Sequence, residues 1–468
     1  MIINVKNLGV LKQAEFELGE LTLICGGNNT GKTYATYALF GFLQHWESLL
    51  EVEIPNQTID ALLKDGVTRI DIEPYALKAD DILRWGCRKY TMELPKIFAA
   101  KSNHFKDTTF QVSLVPETIA SIKSRTFDHR MRSAEDDFLS LFKEKGEKDL
   151  VVSLLTDKRM SVLPTSLTRV ISEVISNGII KLLFDPFFPR SFIASAERTG
   201  AAIFRQELNF ARNRLLEEMS QADSSEFDPM ELLFKSYQDY PLPVKVNVDF
   251  IQRLENIARE DSFLVENHPQ ILNDFADIIG GEYIAESNDT IYFKPAGKQQ
   301  KLTMDESSSA VRSLLDIGFY LRHVAKPGDL LMIDEPELNL HPENQCRMAR
   351  LFARLVNLGI RVFVTTHSDY IVKELNTLIM LNQDKPYLKQ IAKEEGYQTE
   401  ELISAGKIGV YIAEEALMKL ETRSRRSRHQ TLVPARIDPE LGIEARSFDK
   451  TINKMNEIQE AIVWGGDE

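Results

Sequence analysis

The residues best suited to chemistry form a glycine-rich loop near the start of the chain, from Gly26 to Thr33. An apolar run, residues 21–25, precedes the loop and a helix-like segment follows it. A phosphate-binding loop requires this order, because glycines let successive backbone N–H groups point at phosphate oxygens. Lys32 would then reach the β- and γ-phosphates, and the Thr33 hydroxyl would join the shell of a Mg²⁺ ion. We predict a nucleoside triphosphate site with these binding residues: Gly26, Gly27, Asn28, Asn29, Thr30, Gly31, Lys32 and Thr33.

Two further apolar runs end in residues that could act on a bound phosphate. Residues 330–333 are followed directly by Asp334 and Glu335. This pattern places Asp334 in the shell of Mg²⁺ and Glu335 beside the γ-phosphate, where it can polarise an attacking water. Residues 362–366 end at His367, and the ends of parallel strands border the ligand crevice of a doubly wound sheet. The pattern predicts Thr33 and Asp334 as metal ligands and the following catalytic residues: Lys32, Glu335 and His367.

A cluster of serines precedes the apolar run at residues 330–333. Ser307, Ser308 and Ser309 lie within residues 305–310, and a helix-like segment, residues 311–324, follows. Serine is a common N-cap, so the cluster could do no more than begin the helix. The same three hydroxyls could instead form a second phosphate-binding helix N-terminus. Residue types alone leave both interpretations open.

Strands and helices alternate around these motifs, which predicts an α/β fold. Residues 1–18 alternate apolar and polar side chains around a turn at Asn7, and predict two short antiparallel strands. The predicted divisions are a first part of the head (1–50), an inserted mixed α/β lobe (51–190), a return to the head (191–200), a helical or coiled-coil arm (201–300), a second part of the head (301–383) and a C-terminal region for partner or oligomer contacts (384–468). In the inserted lobe we predict helices at 60–63, 117–123, 136–143 and 166–183, and strands at 69–73, 89–92 and 109–115.

The region after residue 200 predicts a helical excursion from the head. Apolar residues at three- and four-residue spacing predict a long amphipathic helix over residues 204–219. Residues 250–258 and 262–278 would be the returning helices. A short coiled-coil arm and a compact helical subdomain are both compatible with this pattern, because few heptads are present.

Composition limits the class of protein. The 468 residues are 43% hydrophobic and carry a formal net charge of −14, so any nucleic acid contact must use a local basic patch. Three cysteines without metal-ligand spacing fit a reducing compartment. No leader pattern and no membrane-spanning apolar run is visible in the sequence. We therefore expect a cytoplasmic protein without membrane contact.

Taken in order, the motifs resemble those of ABC-class ATPases of the SMC-like and OLD-like branch. The matching segments are Walker A (26–33), the signature (305–310), Walker B (330–335), the D-loop (337–341) and the switch histidine, His367. The resemblance implies an ABC-type P-loop ATPase head with an inserted helical or coiled-coil arm and a small C-terminal α+β region. It also implies ATP and Mg²⁺ as cofactors, Glu335 as the catalytic carboxylate, and a γ-phosphate contact from His367.

Two segments depart from the family pattern. Residues 195–200 occupy the Q-loop position, but they carry Glu197 and Arg198 and no glutamine. The signature position has no glycine, so the pattern does not identify which of its serines would meet phosphate. In this class the signature serine contacts the ATP of a second copy. The resemblance therefore implies homo-oligomers built from ATP-sandwich dimers.

Several segments resemble prokaryotic anti-phage defence ATPases, and among them the ATPase subunits of PARIS systems. They are the loop GGNNTGKT and the stretches IDEPELNLHPENQ and TTHSDYIVKEL. That family implies a higher-order scaffold, a separate TOPRIM-type nuclease effector and a phage trigger protein. The alternative is a DNA-repair ATPase of the SMC or RecF kind that clamps duplex DNA.

The C-terminal region bears on nuclease and nucleic acid functions. An OLD-type nuclease needs an Asp-x-Asp pair, and the acidic candidates after His367 lack one: Glu414, Glu415, Asp438 and Glu440. We therefore expect no intrinsic nuclease. Residues 422–428 hold four arginines, which fit a solvated loop or a phosphate-backbone contact. Residues 448–463 predict an amphipathic helix.

Overall fold

A computed structural model describes most of the chain: residues 1–114, 121–132, 137–155, 165–203, 240–286, 290–419, 426–444, 454–460 and 462. The chain divides into two compact units. One unit comprises Met1–Asn4, Phe42–Glu93 and Thr109–Pro189, and the other comprises Val5–Gly41, Leu94–Thr108 and Arg190–Glu468. The larger unit contains every predicted site residue.

A six-stranded sheet organises the larger unit. In spatial order its strands are β16 (Ser427–Pro434), β15 (Ile408–Met418), β3 (Leu21–Gly26), β14 (Arg361–Thr366), β13 (Leu330–Asp334) and β9 (Ser191–Ala194). Its first five strands along the chain are parallel, and β16 is antiparallel to β15. The three central strands are almost continuously apolar because both faces of the sheet are covered.

Strand register brings the predicted chemistry to one end of this sheet. Asp334 is paired with Thr365, and Thr366 is paired with Cys25 just before the glycine loop. Parallel strands end on the same side, so Walker A, Walker B and the switch histidine follow neighbouring strand ends. The α/β fold predicted from the sequence is confirmed.

The predicted C-terminal region is not separate from the head. Its strand β15 pairs directly with the P-loop strand β3, from Ile408 opposite Leu21 to Ala413 opposite Gly26. The boundary placed at residue 383 therefore does not end the ATPase sheet. The sequence pattern could not predict this pairing, because β15 and β3 are almost 400 residues apart and no local residue pattern specifies which strands are neighbours.

Gly26 provides a test of that pairing. Its φ is +147°, and a Cβ atom there would lie 2.6 Å from the main-chain oxygen of Ala413. We expect Gly26→Ala to lower the free energy of unfolding by about 1–3 kcal/mol, because neither backbone can move freely within the sheet. Chemical denaturation measures this loss. Gly27→Ala is the matched control, since its nearest neighbour would be a Thr30 methyl at 3.9 Å. Equal unfolding midpoints for the two variants would contradict the pairing.

The returning part of the predicted arm packs into the core of the larger unit. Phe250, Leu254, Ile271 and Phe275 are buried in the same hydrophobic cluster as residues of β3, β13 and β14. The described part of this region, from residue 240 on, is therefore a compact helical subdomain, and the choice between an arm and a subdomain for residues 204–239 lies outside the described residues. Its elements are the helices Leu242–Gln252, Leu254–Ile257, Phe263–Asn267 and Pro269–Ile279, with strands β10 (Gly281–Glu286), β11 (Thr290–Pro295) and β12 (Leu302–Thr303). The helix predicted over 204–219 lies outside the described residues.

The smaller unit contains a four-stranded sheet of order β4-β8-β7-β6 with helices. Two predictions in it are wrong. Within the segment predicted as a helix at 136–143, the described residues 137–143 form a strand, because Leu139 and Leu141 are buried on one face at a period of two. Residues 89–92 lie in a helix, where Cys87, Tyr90 and Leu94 are buried at helical spacing. The elements are β4 (Val67–Asp71), β6 (Phe127–Arg132), β7 (Asp137–Lys143) and β8 (Asp149–Leu154), with the helices Asn56–Asp65, Glu73–Leu77, Ala79–Ile97 and Thr165–Phe184.

The other elements complete the described chain. The predicted N-terminal pair of strands is confirmed as β1 (Ile2–Leu8) and β2 (Leu11–Glu17), which are neighbours in one sheet. Strand β5 (Thr109–Ser113) lies where a strand was predicted. The remaining elements are the helices Lys32–Leu49, Arg198–Ile203, Ser309–Ser313, Leu315–Phe319, Pro342–Asn357, Asp369–Leu381 and Pro386–Glu394, the 3-10 helical turns Ser102–Phe105, Ser121–Ser124, Thr399–Glu401 and Ala405–Lys407, a π-helical turn Tyr320–Val324, and strands β17 (Ile437–Asp438) and β18 (Gly442–Ile443). None of the helices that could be assessed has the length and apolar character needed to cross a bilayer.

Candidate active site

The glycine loop turns between β3 and the helix Lys32–Leu49. Gly31 has a φ of +95°, and Asn29 adopts a left-handed conformation with a φ of +59°. Lys32 is only 5% exposed, and its ammonium donates to the main-chain oxygens of Gly26 at 3.2 Å and Gly27 at 2.8 Å. These bonds hold the cation inside the loop. Burial lowers the pKa of Lys32, and the nearby carboxylate of Glu335 opposes that shift.

Lys32, His367 and Glu335 form one chain of hydrogen bonds. The Lys32 ammonium lies 3.5 Å from His367 Nδ1, and His367 Nε2 lies 2.9 Å from Glu335 Oε1. Because an ammonium can only donate, Nδ1 accepts, and the proton of the neutral ring stands on Nε2 facing the carboxylate. The three residues predicted as catalytic are therefore brought together, although each follows a different strand.

Glu335, which the sequence predicts as the general base, has an ionised carboxylate and a strained backbone. The hydrogen bond from His367 lowers the pKa of Glu335, against the opposing effect of burial, so the group is ionised at neutral pH. Its backbone has a φ of +54°, a conformation that costs a non-glycine residue about 1–3 kcal/mol. Such strain is common where a side chain must point in one direction, and here it directs the carboxylate toward His367.

Asp334 lies at the end of β13 and is completely buried. Its Oδ1 accepts a hydrogen bond from the Thr365 hydroxyl. Its Oδ2 is buried and has no hydrogen bond of ordinary geometry, although the Thr33 hydroxyl is near enough to lower the Asp334 pKa. Burial has the larger effect and raises that pKa to about 6. One carboxylate oxygen beside the glycine loop therefore remains without a partner.

Glu337 supports the site in a way that sequence reasoning did not assign. Its Oε1 accepts from the His367 backbone N–H at 2.6 Å, and its Oε2 accepts from the Thr366 hydroxyl at 2.9 Å. These bonds fix the position of the histidine relative to β14. The sequence placed Glu337 in the D-loop segment, shortly after Glu335, but gave no sign of its contact with His367.

The predicted signature serines make hydrogen bonds inside their own segment. Ser308 is the N-cap of the helix Ser309–Ser313 and accepts from the Val311 N–H at 3.3 Å. Ser307 is buried and donates to the Thr303 oxygen, whereas Ser308 and Ser309 are exposed. The capping interpretation therefore holds for Ser308. Contact of any of the three serines with phosphate stays a prediction.

Comparison with known proteins identifies the family. The profile of AAA_15, an AAA ATPase domain, matches residues 1–372. The chain belongs to this family. It is accordingly an ATPase of the AAA_15 type, and the family implies ATP and, as is typical of such enzymes, Mg²⁺. No curated protein is similar enough to count as a match.

Solved structures of SMC heads are also similar to this ATPase. An SMC head bound to the C-winged helix domain of ScpA is 11% identical over 92% of this chain and 97% of that chain, with a TM-score of 0.33. The SMC head domain from Thermotoga maritima is 11% identical, with coverages of 93% and 98% and a TM-score of 0.30. A Smc head with an extended coiled coil, bound to the C-terminal domain of ScpA derived from Pyrococcus furiosus, is 13% identical, with coverages of 98% and 98% and a TM-score of 0.31. TM-scores of this size carry no part of the assignment.

The residues of this ATPase fit the cation that its family implies. Asp334 offers a carboxylate oxygen without a partner, and the Thr33 hydroxyl stands beside it. Oxygen ligands of this kind suit Mg²⁺, which keeps waters and substrate phosphates in its shell and needs few protein ligands. When bound there, the cation would neutralise charge on the phosphates. Among the described residues, no group of three or more His, Cys, Asp and Glu side chains could hold a metal by itself.

The pKa of Asp334 predicts how cation binding depends on pH. Below about pH 6 a proton occupies the carboxylate, so affinity for Mn²⁺ in the presence of ADP should fall by up to about tenfold per pH unit. Above pH 6 the affinity should level off. Paramagnetic resonance of Mn²⁺ measures binding without turnover. Because ADP itself titrates in this range, the Asp334→Asn variant gives the background, and an equal slope in both proteins would contradict the assignment.

A separate cavity of about 380 Å³ lies in the same unit. Phe275, Tyr283 and His323 are among its lining residues. None of the predicted site residues lines it, so it is not the nucleotide site.

Proposed function

We propose that this ATPase is a nucleotide-controlled switch of an anti-phage defence system, resembling AriA, the ATPase subunit of PARIS. The observation that carries the proposal is the hydrogen-bonded chain of Lys32, His367 and Glu335. A γ-phosphate held by Lys32 would interrupt the contact between Lys32 and His367 and leave His367 Nδ1 without its present donor. Binding and hydrolysis would therefore change the hydrogen bonds of three strand ends at once, which is how a charge change acts as a switch.

The proposed assembly is a homo-oligomer of ATP-sandwich dimers. In this dimer, one serine of residues 307–309 on one copy would contact the ATP that is bound to the other copy. Ser308 and Ser309 are exposed and therefore accessible for that contact. The γ-phosphate would supply charge-assisted hydrogen bonds to both copies and would remove them on hydrolysis. Higher-order assembly from such dimers would provide a scaffold.

The effector in this proposal is a separate protein. A TOPRIM-type nuclease resembling AriB would be held by the scaffold and released when a phage trigger protein is sensed. The sequence resemblance of the Walker A, Walker B and switch segments to defence ATPases supports this assignment. We propose no intrinsic nuclease activity, because the acidic residues after His367 lack the Asp-x-Asp pair.

The native mass of the complex tests this function. The chain is purified with the products of its neighbouring genes and with ATP, as wild type, as Glu335→Gln and as the control Glu343→Gln, whose carboxylate pairs with Arg347 on an exposed helix face. A large homo-oligomer that carries a second protein is the expected result. An ATP-dependent dimer alone, with duplex DNA binding that weakens as salt rises, would overturn the proposal in favour of an SMC-like or RecF-like DNA clamp.

A further inference from the structure

Arg198 lies at the segment that replaces the family's Q-loop, and its surroundings are unusual for a charged residue. The side chain is 1% exposed and is among the largest completely buried side chains of the described chain. Its Nε donates to the Ser313 oxygen at 2.7 Å, and its Nη1 donates to the oxygens of Ser195 at 2.9 Å and Asp334 at 2.6 Å. Its Nη2 donates to the Glu335 oxygen at 2.7 Å.

All four acceptors are main-chain oxygens. A guanidinium has five N–H donors in a rigid plane, so one side chain can hold three chain segments at fixed mutual distances. The segments are the end of β9, the helix that follows the signature serines, and the end of Walker B strand β13. Burial lowers the pKa of Arg198, and the nearby carboxylates of Asp316 and Asp334 oppose that change.

The contact with Glu335 has a direct consequence for the catalytic geometry. Glu335 has a left-handed backbone, with a φ of +54°. Its backbone N–H donates to the Thr365 oxygen at 3.0 Å, and its oxygen accepts from Arg198 and from the Leu338 N–H at 3.2 Å. Strained conformations persist when the surrounding structure determines them from both sides. Arg198 supplies the shorter of the two bonds to the Glu335 oxygen, and it is the side-chain restraint on this strained backbone.

A second polar side chain ties Arg198's segment to the helical subdomain. Asn247 is completely buried in the helix Leu242–Gln252, and its Oδ1 accepts from the Ser195 N–H at 2.7 Å. Its Nδ2 donates to the Ile193 oxygen at 2.5 Å. The end of β9 is therefore held from the helical subdomain by Asn247 and from the catalytic strand by Arg198.

We propose that Arg198 is a positioning residue for ATP hydrolysis, which holds Glu335 in its strained conformation and couples the β9 segment and the post-signature helix to it. The side chain of Arg198 makes no hydrogen bond to any residue that is predicted to bind phosphate. Its loss should therefore reduce the rate of the chemical step and leave nucleotide affinity almost unchanged. The inference rests on the role of Glu335 as the general base.

Arg198→Lys is the main test, because lysine keeps the charge and loses the planar fork. We expect kcat to fall by about 10–100-fold, as small misplacements of a reacting group do. The affinity for ATP and the binding stoichiometry of one per chain should stay within about threefold of wild type. Arg354→Lys is the matched control, because Arg354 is a buried arginine of the same unit that pairs with Asp274.

A double variant separates positioning from a general effect on folding. Because Arg198 acts through Glu335, Arg198→Lys should add no further loss of rate in the Glu335→Gln background. Multiplied losses would overturn the proposal, and so would a wild-type kcat in Arg198→Lys. A fall in kcat that only matches a fall in binding stoichiometry would do the same.

Two other outcomes are also decisive. Arg198→Met removes every donor, so its loss of kcat should exceed that of Arg198→Lys. If both Arg198 variants failed to fold while Arg354→Lys and Arg354→Met folded, the residue would be structural and the proposal would be wrong. A wild-type rate in Glu335→Gln itself would remove the base on which the inference rests, and is measured separately.

Discussion

Glu335→Gln should hydrolyse ATP about 10²–10⁴ times more slowly than wild type, the usual contribution of a general base. The amide oxygen of glutamine can still accept the 2.9 Å hydrogen bond from His367, so the geometry of the site is kept. What is lost is the negative charge, which the His367 contact favours by lowering the Glu335 pKa, and with it the ability to accept a proton from water. Steady-state phosphate release measures the effect, and ATP affinity should change by less than about threefold.

Glu343→Gln is the control for this variant. Glu343 is exposed, pairs with Arg347, and lies on the helix that follows the same strand and loop. Its hydrolysis rate should be that of wild type. A Glu335→Gln variant that turned over ATP as fast as wild type would show that the carboxylate beside His367 is not the base.

Lys32→Ala should lose measurable nucleotide binding, a fall in affinity of at least about 10²-fold. The ammonium faces the acidic groups of the site: burial lowers its pKa, and Glu335, Asp334 and Glu337 oppose that shift. Without it, these three carboxylates would face the phosphates with no opposing charge from Lys32. Titration with a fluorescent ATP analogue measures the loss.

Lys389→Ala serves as the control for Lys32→Ala. Lys389 is an exposed lysine that pairs with Asp384 and has no part in the site. Its variant should bind nucleotide as wild type does. Equal affinity of the Lys32→Ala and Lys389→Ala variants would mean that the glycine loop does not bind triphosphate.

The parts of the site that could be predicted from sequence are those with a local pattern. The glycine loop, the acidic pair after residues 330–333 and His367 each follow an apolar strand, and the strand ends place them together. Side-chain types and their spacing therefore carried enough information. The two wrong assignments in the smaller unit have a different cause, because short segments such as 89–92 and 136–143 satisfy more than one periodicity until burial is known.

Residues that act through the main chain could not be assigned in the same way. Arg198 donates only to main-chain oxygens in its four bonds, and any residue type can provide those oxygens. The sequence shows that the family's glutamine is absent from this segment, but it does not show which contacts Arg198 makes there. Glu337 is similar, since one of its two acceptor bonds is to a backbone N–H.

Long-range pairing was the other limit. Strand β15 lies beside the P-loop strand, yet the two are separated by most of the chain. The returning helices were predicted near their observed places, at 250–258 and 262–278, but their packing into the head core depends on tertiary contacts. A helical periodicity predicts which face of a helix is apolar, but it does not predict which other elements pack against that face.

The identity of the nucleotide left after a single turnover tests the central claim most directly. Wild type and Glu335→Gln are each mixed with less than one equivalent of ATP and Mg²⁺, quenched with acid at intervals, and their nucleotides separated. Wild type should convert its bound ATP to ADP, and Glu335→Gln should retain ATP over the same period. ADP appearing at the same rate in both proteins would contradict the site described for this ATPase.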